Sequence, residues 1–71
     1  MFVKAVALVI QQGQASISQL KRKFPIGYSK AGRLIDKMET LGYISGFEGS
    51  KPRRVLITRE EFEQKYGDVD D

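Results

Sequence analysis

The chain has 71 residues, 41% of them apolar and 30% charged, enough for one compact domain with a solvated surface. It contains neither cysteine nor histidine, which excludes disulfides, thiolate zinc sites, cysteine nucleophiles and imidazole acid–base chemistry together. The net charge of +3 is unevenly spread: from Lys21 to Arg54 nine basic residues stand against three acidic ones, whereas Arg59 to Asp71 holds two basic and six acidic residues. A basic middle and an acidic end suit a polyanion on one face.

Phe2, Ala5, Val6 and Val9 recur at helical spacing, with Val3, Leu8 and Ile10 widening the stripe, and Gly13 closes this first helix. The apolar stretch from Phe2 to Ile10 falls short of the roughly 20 residues of a membrane helix. Gln11 and Gln12 follow where a secretory leader would place a small-residue cleavage site, so the stretch is expected to be a scaffold helix in the core. The lack of cysteine is compatible with the cytoplasm.

Ser16 and Gln19 have capping-box spacing, which predicts a second helix from Ile17 with Ile17, Leu20 and Phe24 inward. Lys21, Arg22 and Lys23 lie late in it, where cations suit the helix C-terminus. Pro25 forces Phe24 out of the helical region. Pro25-Ile26-Gly27 then reads as a tight connector in which Gly27 supplies backbone freedom.

A third helix is predicted from Tyr28 to Leu41, with Gly42 as its C-terminal glycine. Tyr28, Ala31, Leu34, Ile35, Met38 and Leu41 form its inner stripe. Ser29, Arg33, Asp36, Lys37 and Thr40 form the outer one, flanked by Lys30. Two helices joined by a short glycine-containing turn make a helix-turn-helix, whose second helix is the reader.

Tyr43-Ile44-Ser45 and Val55-Leu56-Ile57 read as two strands around a glycine-bounded hairpin that carries Lys51, Arg53 and Arg54. Thr58 and Glu61 repeat the capping-box spacing and open a last short helix, with Phe62 and Tyr66 on one apolar face and Glu61 and Lys65 spaced to pair. Gly67 ends it. The expected fold is therefore α+β: a winged helix-turn-helix with a three-helix core, a β-hairpin wing and a short C-terminal helix. One domain is expected over residues 1–67, followed by an acidic tail, 68–71, that frays.

The run from Ser16 to Glu39, SISQLKRKFPIGYSKAGRLIDKME, and the wing from Glu48 to Leu56, EGSKPRRVL, closely resemble the C-terminal gamma domain of the FtsK/SpoIIIE DNA translocases. That family typically reads ASIS…RxFxIGYxRAARLIxxME…G, followed by a wing of the type EGSKPREVL. The resemblance spans roughly Ala5 to Ile57. It implies binding to double-stranded DNA at short, strand-asymmetric, G-rich octamers (KOPS in FtsK, SRS in SpoIIIE) that load and orient a hexameric motor during chromosome segregation. It also implies contact with a XerD-type recombinase. The motor and the membrane anchor would lie elsewhere in a parent protein whose cytosolic portion includes this domain, so Met1 need not be a natural start.

The base-reading positions of the family, commonly Asn, Arg and Glu at i, i+4 and i+7, fall on Ser29, Arg33 and Asp36, with Lys30 where an Arg usually follows the Asn. Arg33 is the strongest carry-over, because its forked guanidinium suits the O6 and N7 acceptors of guanine. Ser29 either touches DNA or caps the helix. Asp36 either accepts from a cytosine amino group or orients Arg33 at i, i+3, the second being favoured. Lys30 and Lys37 flank Arg33 and suit phosphate.

Lys21, Arg22 and Lys23 are expected to clamp phosphate, and Lys51, Arg53 and Arg54 to track the backbone or enter the minor groove. Arg53 is expected to lead, since successive strand residues point to opposite faces. Tyr28, Tyr43 and Phe47 are assigned to packing in the core or wing.

Asp36 and Glu39 share a helical face but lack a pocket, a metal partner or an imidazole, so no enzyme is expected, and no cofactor, metal or small-molecule substrate. Two other readings remain open. A protein-interaction module would favour an apolar outer stripe, which this one lacks. A small transcription regulator would usually bring a dimerisation element, and none is apparent. The isolated domain is thus expected to be monomeric, with several copies able to share one DNA site.

Overall fold

A computed structural model describes residues 1–67. The expected acidic tail, 68–71, lies outside the described residues. The element order is α1 (Phe2–Gln12), β1 (Gln14–Ala15), α2 (Ile17–Lys23), α3 (Tyr28–Thr40), β2 (Arg53–Arg54) and α4 (Arg59–Tyr66). This is an α+β arrangement compatible with a winged helix. No helix among the described residues is long and apolar enough to cross a membrane.

Each helix ends where local chemistry ends it. Gly13 takes φ 76° after α1, and its N–H donates to the Val9 carbonyl at 2.8 Å. Ser16 and Gln19 form the reciprocal capping box of α2: Gln19 N–H donates to Ser16 Oγ at 3.1 Å, and Ser16 N–H to Gln19 Oε1 at 3.2 Å. Phe24 is extended, as the following proline requires. Pro25 then sits inside a γ-turn closed by Ile26 N–H to the Phe24 carbonyl, 2.8 Å.

At the end of α3 the Gly42 N–H donates to the Glu39 carbonyl and the Tyr43 N–H to the Met38 carbonyl, at 2.9 and 2.8 Å. With Gly42 at φ 78° these two bonds make a Schellman motif. It turns the chain so that Tyr43 and Ile44 reach the core.

The core is Ala5, Val6, Leu8 and Val9 of α1, Ala15, Leu20 of α2, Ala31, Ile35 and Met38 of α3, then Tyr43, Ile44 and Ile57. Full burial of aliphatic side chains such as Val9 and Leu20 is worth about 1.5–3 kcal/mol each. The α4 helix contributes no fully buried residue. It docks through an aromatic row: Phe2 stacks with Tyr43, Tyr43 meets Tyr66 edge-on, and Tyr66 meets Phe62, with centroids 6.4, 6.4 and 5.5 Å apart.

Several local expectations are corrected. The regular pairing of the wing runs between β2 and β1, antiparallel, with Gln14 opposite Arg54 and Ala15 opposite Arg53. Tyr43-Ile44-Ser45 and Val55-Leu56-Ile57 reduce to one bridge, Ile44 to Val55, supported by Ser45 N–H to the Arg54 carbonyl. The ladder stops there because the Tyr43 carbonyl accepts from both Leu56 and Ile57 N–H, at 2.8 and 3.1 Å, which puts two residues opposite one.

Gly27 is the N-cap of α3 at φ −85°, a conformation open to any residue, so the connector does not use its freedom, and Ser29 is not the cap. Tyr28 and Leu41, placed in the inner stripe, are exposed at the two ends of α3. Among the described residues the expected Glu61–Lys65 pair is not formed; Glu61 Oε1 instead accepts from the N–H and hydroxyl of Thr58, 3.1 Å from each.

Candidate nucleic-acid interface

Burial of Ala31, Ile35 and Met38 fixes the rotation of α3 and turns Ser29, Lys30, Arg33, Asp36 and Lys37 outward together. All five are exposed, and among the described residues Ser29, Lys30, Arg33 and Asp36 have no ion pair. The expected Arg33–Asp36 contact is therefore not formed, and the Arg33 guanidinium is uncommitted. Lys37 is held differently: its ammonium lies 4.5 Å from the Phe2 ring centroid, which ties it toward α1.

Beside α3 runs a groove of about 580 Å3 between the helix-turn-helix and the wing. Ser16, Ser18, Lys21 and Tyr28 line one wall; Phe47, Ser50, Lys51 and Arg53 line the other. Tyr28 is 67% and Phe47 76% exposed, so neither is the packing residue expected from the sequence, whereas Tyr43 is buried as expected. Each exposed ring instead supports a cation: Lys21 Nζ lies 5.9 Å from the Tyr28 centroid and the Arg53 guanidinium 5.6 Å from that of Phe47.

The three adjacent cations of α2 do not act as one cluster. Lys21 borders the groove, while Arg22 and Lys23 flank a shallow depression with Leu8 and Gln12 of α1. A helical step of 100° per residue necessarily separates them.

The wing arginines differ more sharply. The Arg53 side chain is 14% exposed and is ion-paired to Glu39 of α3; that of Arg54 is 72% exposed, with a single contact to Glu48 Oε1 at 3.4 Å. Alternation holds as expected, but it places Arg53 against the body of the domain and Arg54 in solvent. Lys51 is also exposed, at the tip turn where Gly49 takes φ 70°.

Ser45, Glu48, Glu39 and Gln19 also organise this surface, through contacts that sequence spacing does not reveal. Buried Ser45 accepts from Arg54 N–H and donates to Glu48 Oε1, both at 2.9 Å, so one hydroxyl ties the wing's two sides together. That hydrogen bond, followed by the nearby Arg54 charge, holds the Glu48 carboxyl below its ordinary pKa. Buried Gln19 donates through Nε2 to the Gln14 carbonyl at 3.0 Å and fixes β1 against α2. Spacing identified Gln19 as a cap but carried no sign of this second contact.

Comparison with known proteins agrees with this architecture. Residues 1–58 match the family described as the Ftsk gamma domain. The chain is similar to a DNA translocase FtsK of Caldanaerobacter subterraneus, at 50% identity over 60 residues, covering 84% of this chain and 8% of that protein. It is also similar to two proteins of Bacillus subtilis. DNA translocase SpoIIIE is 45% identical over 64 residues, 90% of this chain and 8% of the relative. DNA translocase SftA is 52% identical over 61 residues, 86% of this chain and 6% of the relative. The chain thus spans under a tenth of the relatives it matches, and it belongs to the Ftsk gamma domain family.

Proposed function

We propose that the domain binds duplex DNA in a sequence-directed way, with the outer face of α3 in the major groove and the wing on the flanking backbone. The observation that carries this reading is the exposed stripe Ser29, Lys30, Arg33, Asp36 and Lys37, with an uncommitted guanidinium at its centre and the cations Lys21, Lys51 and Arg54 beside it. Arg33 reads a guanine, Ser29 and Asp36 touch neighbouring bases, and Lys30 and Lys37 set register on phosphates. Lys21, Lys51 and Arg54 follow the backbone, with Arg22 and Lys23 at the margin of the footprint.

The target class is the polar, G-rich octamer of the KOPS and SRS type. Within a larger translocase such binding loads and orients the motor on the cytosolic side during chromosome segregation, and a second surface meets a XerD-type recombinase. The domain itself contributes recognition, without catalysis or a cofactor.

Titrating the labelled domain with duplex DNA and following amide shifts tests which face binds. Shifts concentrated at Ser29–Lys37 and at the wing are expected. Shifts concentrated on α4 and the far side of α1 would contradict the proposal.

A further inference from the structure

Arg53 stands apart from the other wing cations. Its Nη1 donates to Glu39 Oε1 and to the Ser45 carbonyl, the latter at 3.4 Å, while its guanidinium lies over the Phe47 ring. Its backbone also pairs with Ala15 in β1. One residue therefore joins the last turns of α3, the outgoing strand of the wing and the strand beside α2. Little of Arg53 is open to a phosphate, because its side chain is 14% exposed and already gives Nη1 to a carboxylate. Arg54, by contrast, has only its 3.4 Å contact with Glu48 to give up.

We infer that Glu39 and Arg53 are positioning residues for DNA recognition: the pair sets the angle of the wing to the outer face of α3. That angle decides which backbone positions Lys51 and Arg54 reach while Arg33 is in register with the bases. The inference rests on the DNA-binding reading above. Non-specific binding needs only charge near phosphate, whereas sequence-directed binding needs base and backbone contacts to fit at once. Loosening the pair should therefore erode discrimination more than affinity.

The test uses the full chain as wild type, Glu39→Gln, Arg53→Lys, Arg53→Gln and the exchanged pair Glu39→Arg with Arg53→Glu. In the free protein, amide exchange at Ser45 and Arg54 is expected to speed up about tenfold in Glu39→Gln, as a loosened local unit opens more often. On DNA, the ratio of affinities for a G-rich octamer duplex and a scrambled duplex of equal composition is expected to fall about five- to tenfold in Glu39→Gln and Arg53→Gln. Arg53→Lys should fall between these and wild type, and the exchanged pair should recover most of the ratio. The salt slope of Arg53→Gln should match wild type, because no phosphate contact is lost.

A slope lower by about one in Arg53→Gln, with Glu39→Gln unchanged, would overturn the inference and make Arg53 a direct phosphate contact. Unchanged exchange in Glu39→Gln would also overturn it. A wild-type chain with no preference between the duplexes would instead contradict the DNA-reading proposal, and the exchange experiment would still decide the brace.

Discussion

The Tyr43 hydroxyl lies 2.7 Å from the Tyr66 hydroxyl, and this bond joins the segment that follows α3 to the C-terminal helix. Because α4 has no fully buried residue, the bond and the aromatic row beside it are what hold the helix in place. Tyr66→Phe should cost about 1 kcal/mol in denaturant unfolding. The same contact, with burial next, raises the Tyr66 pKa above its ordinary 10.0. The folded chain then keeps a proton that the unfolded chain loses. The contribution is complete below about pH 10 and declines as pH rises through the folded value. The phenylalanine variant should lack that part of the alkaline fall, which unfolding curves at stepped pH would check.

Gly32 offers a gain in stability. It lies inside α3, where glycine is poorer than alanine by about 0.5–1 kcal/mol. An added methyl would meet Ile17 Cδ1 at 3.8 Å, an ordinary contact. Gly32→Ala should therefore raise stability by roughly that amount, and the melting temperature by about 4–8 °C per kcal/mol for a domain of this size. A lower melting temperature would mean that α2 and α3 cannot accept the methyl.

The wing carries a titration marker. The Glu48 carboxyl should titrate below 4.5, held there first by the Ser45 hydroxyl and then by Arg54. Its contribution is present above the unfolded value and is lost as pH falls through the folded one. Carboxyl shifts followed by NMR should show the midpoint moving upward both in Ser45→Ala and in Arg54→Ala.

The two kinds of DNA contact should separate on mutation. Lys51→Ala is expected to weaken binding to all duplexes alike and to lower the salt slope by about one. Arg33→Ala should cost about 1–3 kcal/mol on the preferred site and relax discrimination at one base pair. Anisotropy titrations at several salt concentrations distinguish these outcomes.

What could be read in the sequence was what local chemistry decides. Both capping boxes, the glycines at 13 and 42, the proline stop after Phe24 and the outward stripe of α3 each depend on residues within a turn or two. The pairing of Gln14-Ala15 with Arg53-Arg54 could not be read so, because two-residue strands have no periodicity and their partners lie far apart in the chain.

The roles of the wing arginines were hidden for the same reason. Alternation shows that Arg53 and Arg54 face opposite ways, but only Glu39, 14 residues earlier, decides which one is captured. Tyr28 satisfies the inner spacing of α3, yet at the first residue of that helix its ring stays 67% exposed. Its ring therefore borders the groove.

Selection from a pool of duplexes randomised over eight base pairs tests the proposal that the outer face of α3 reads DNA sequence. The wild-type chain is expected to enrich a polar G-rich motif, and Arg33→Ala to lose the preference at one guanine of it while still binding DNA. Recovery of no motif by the wild-type chain, with every duplex bound alike at moderate salt, would contradict it.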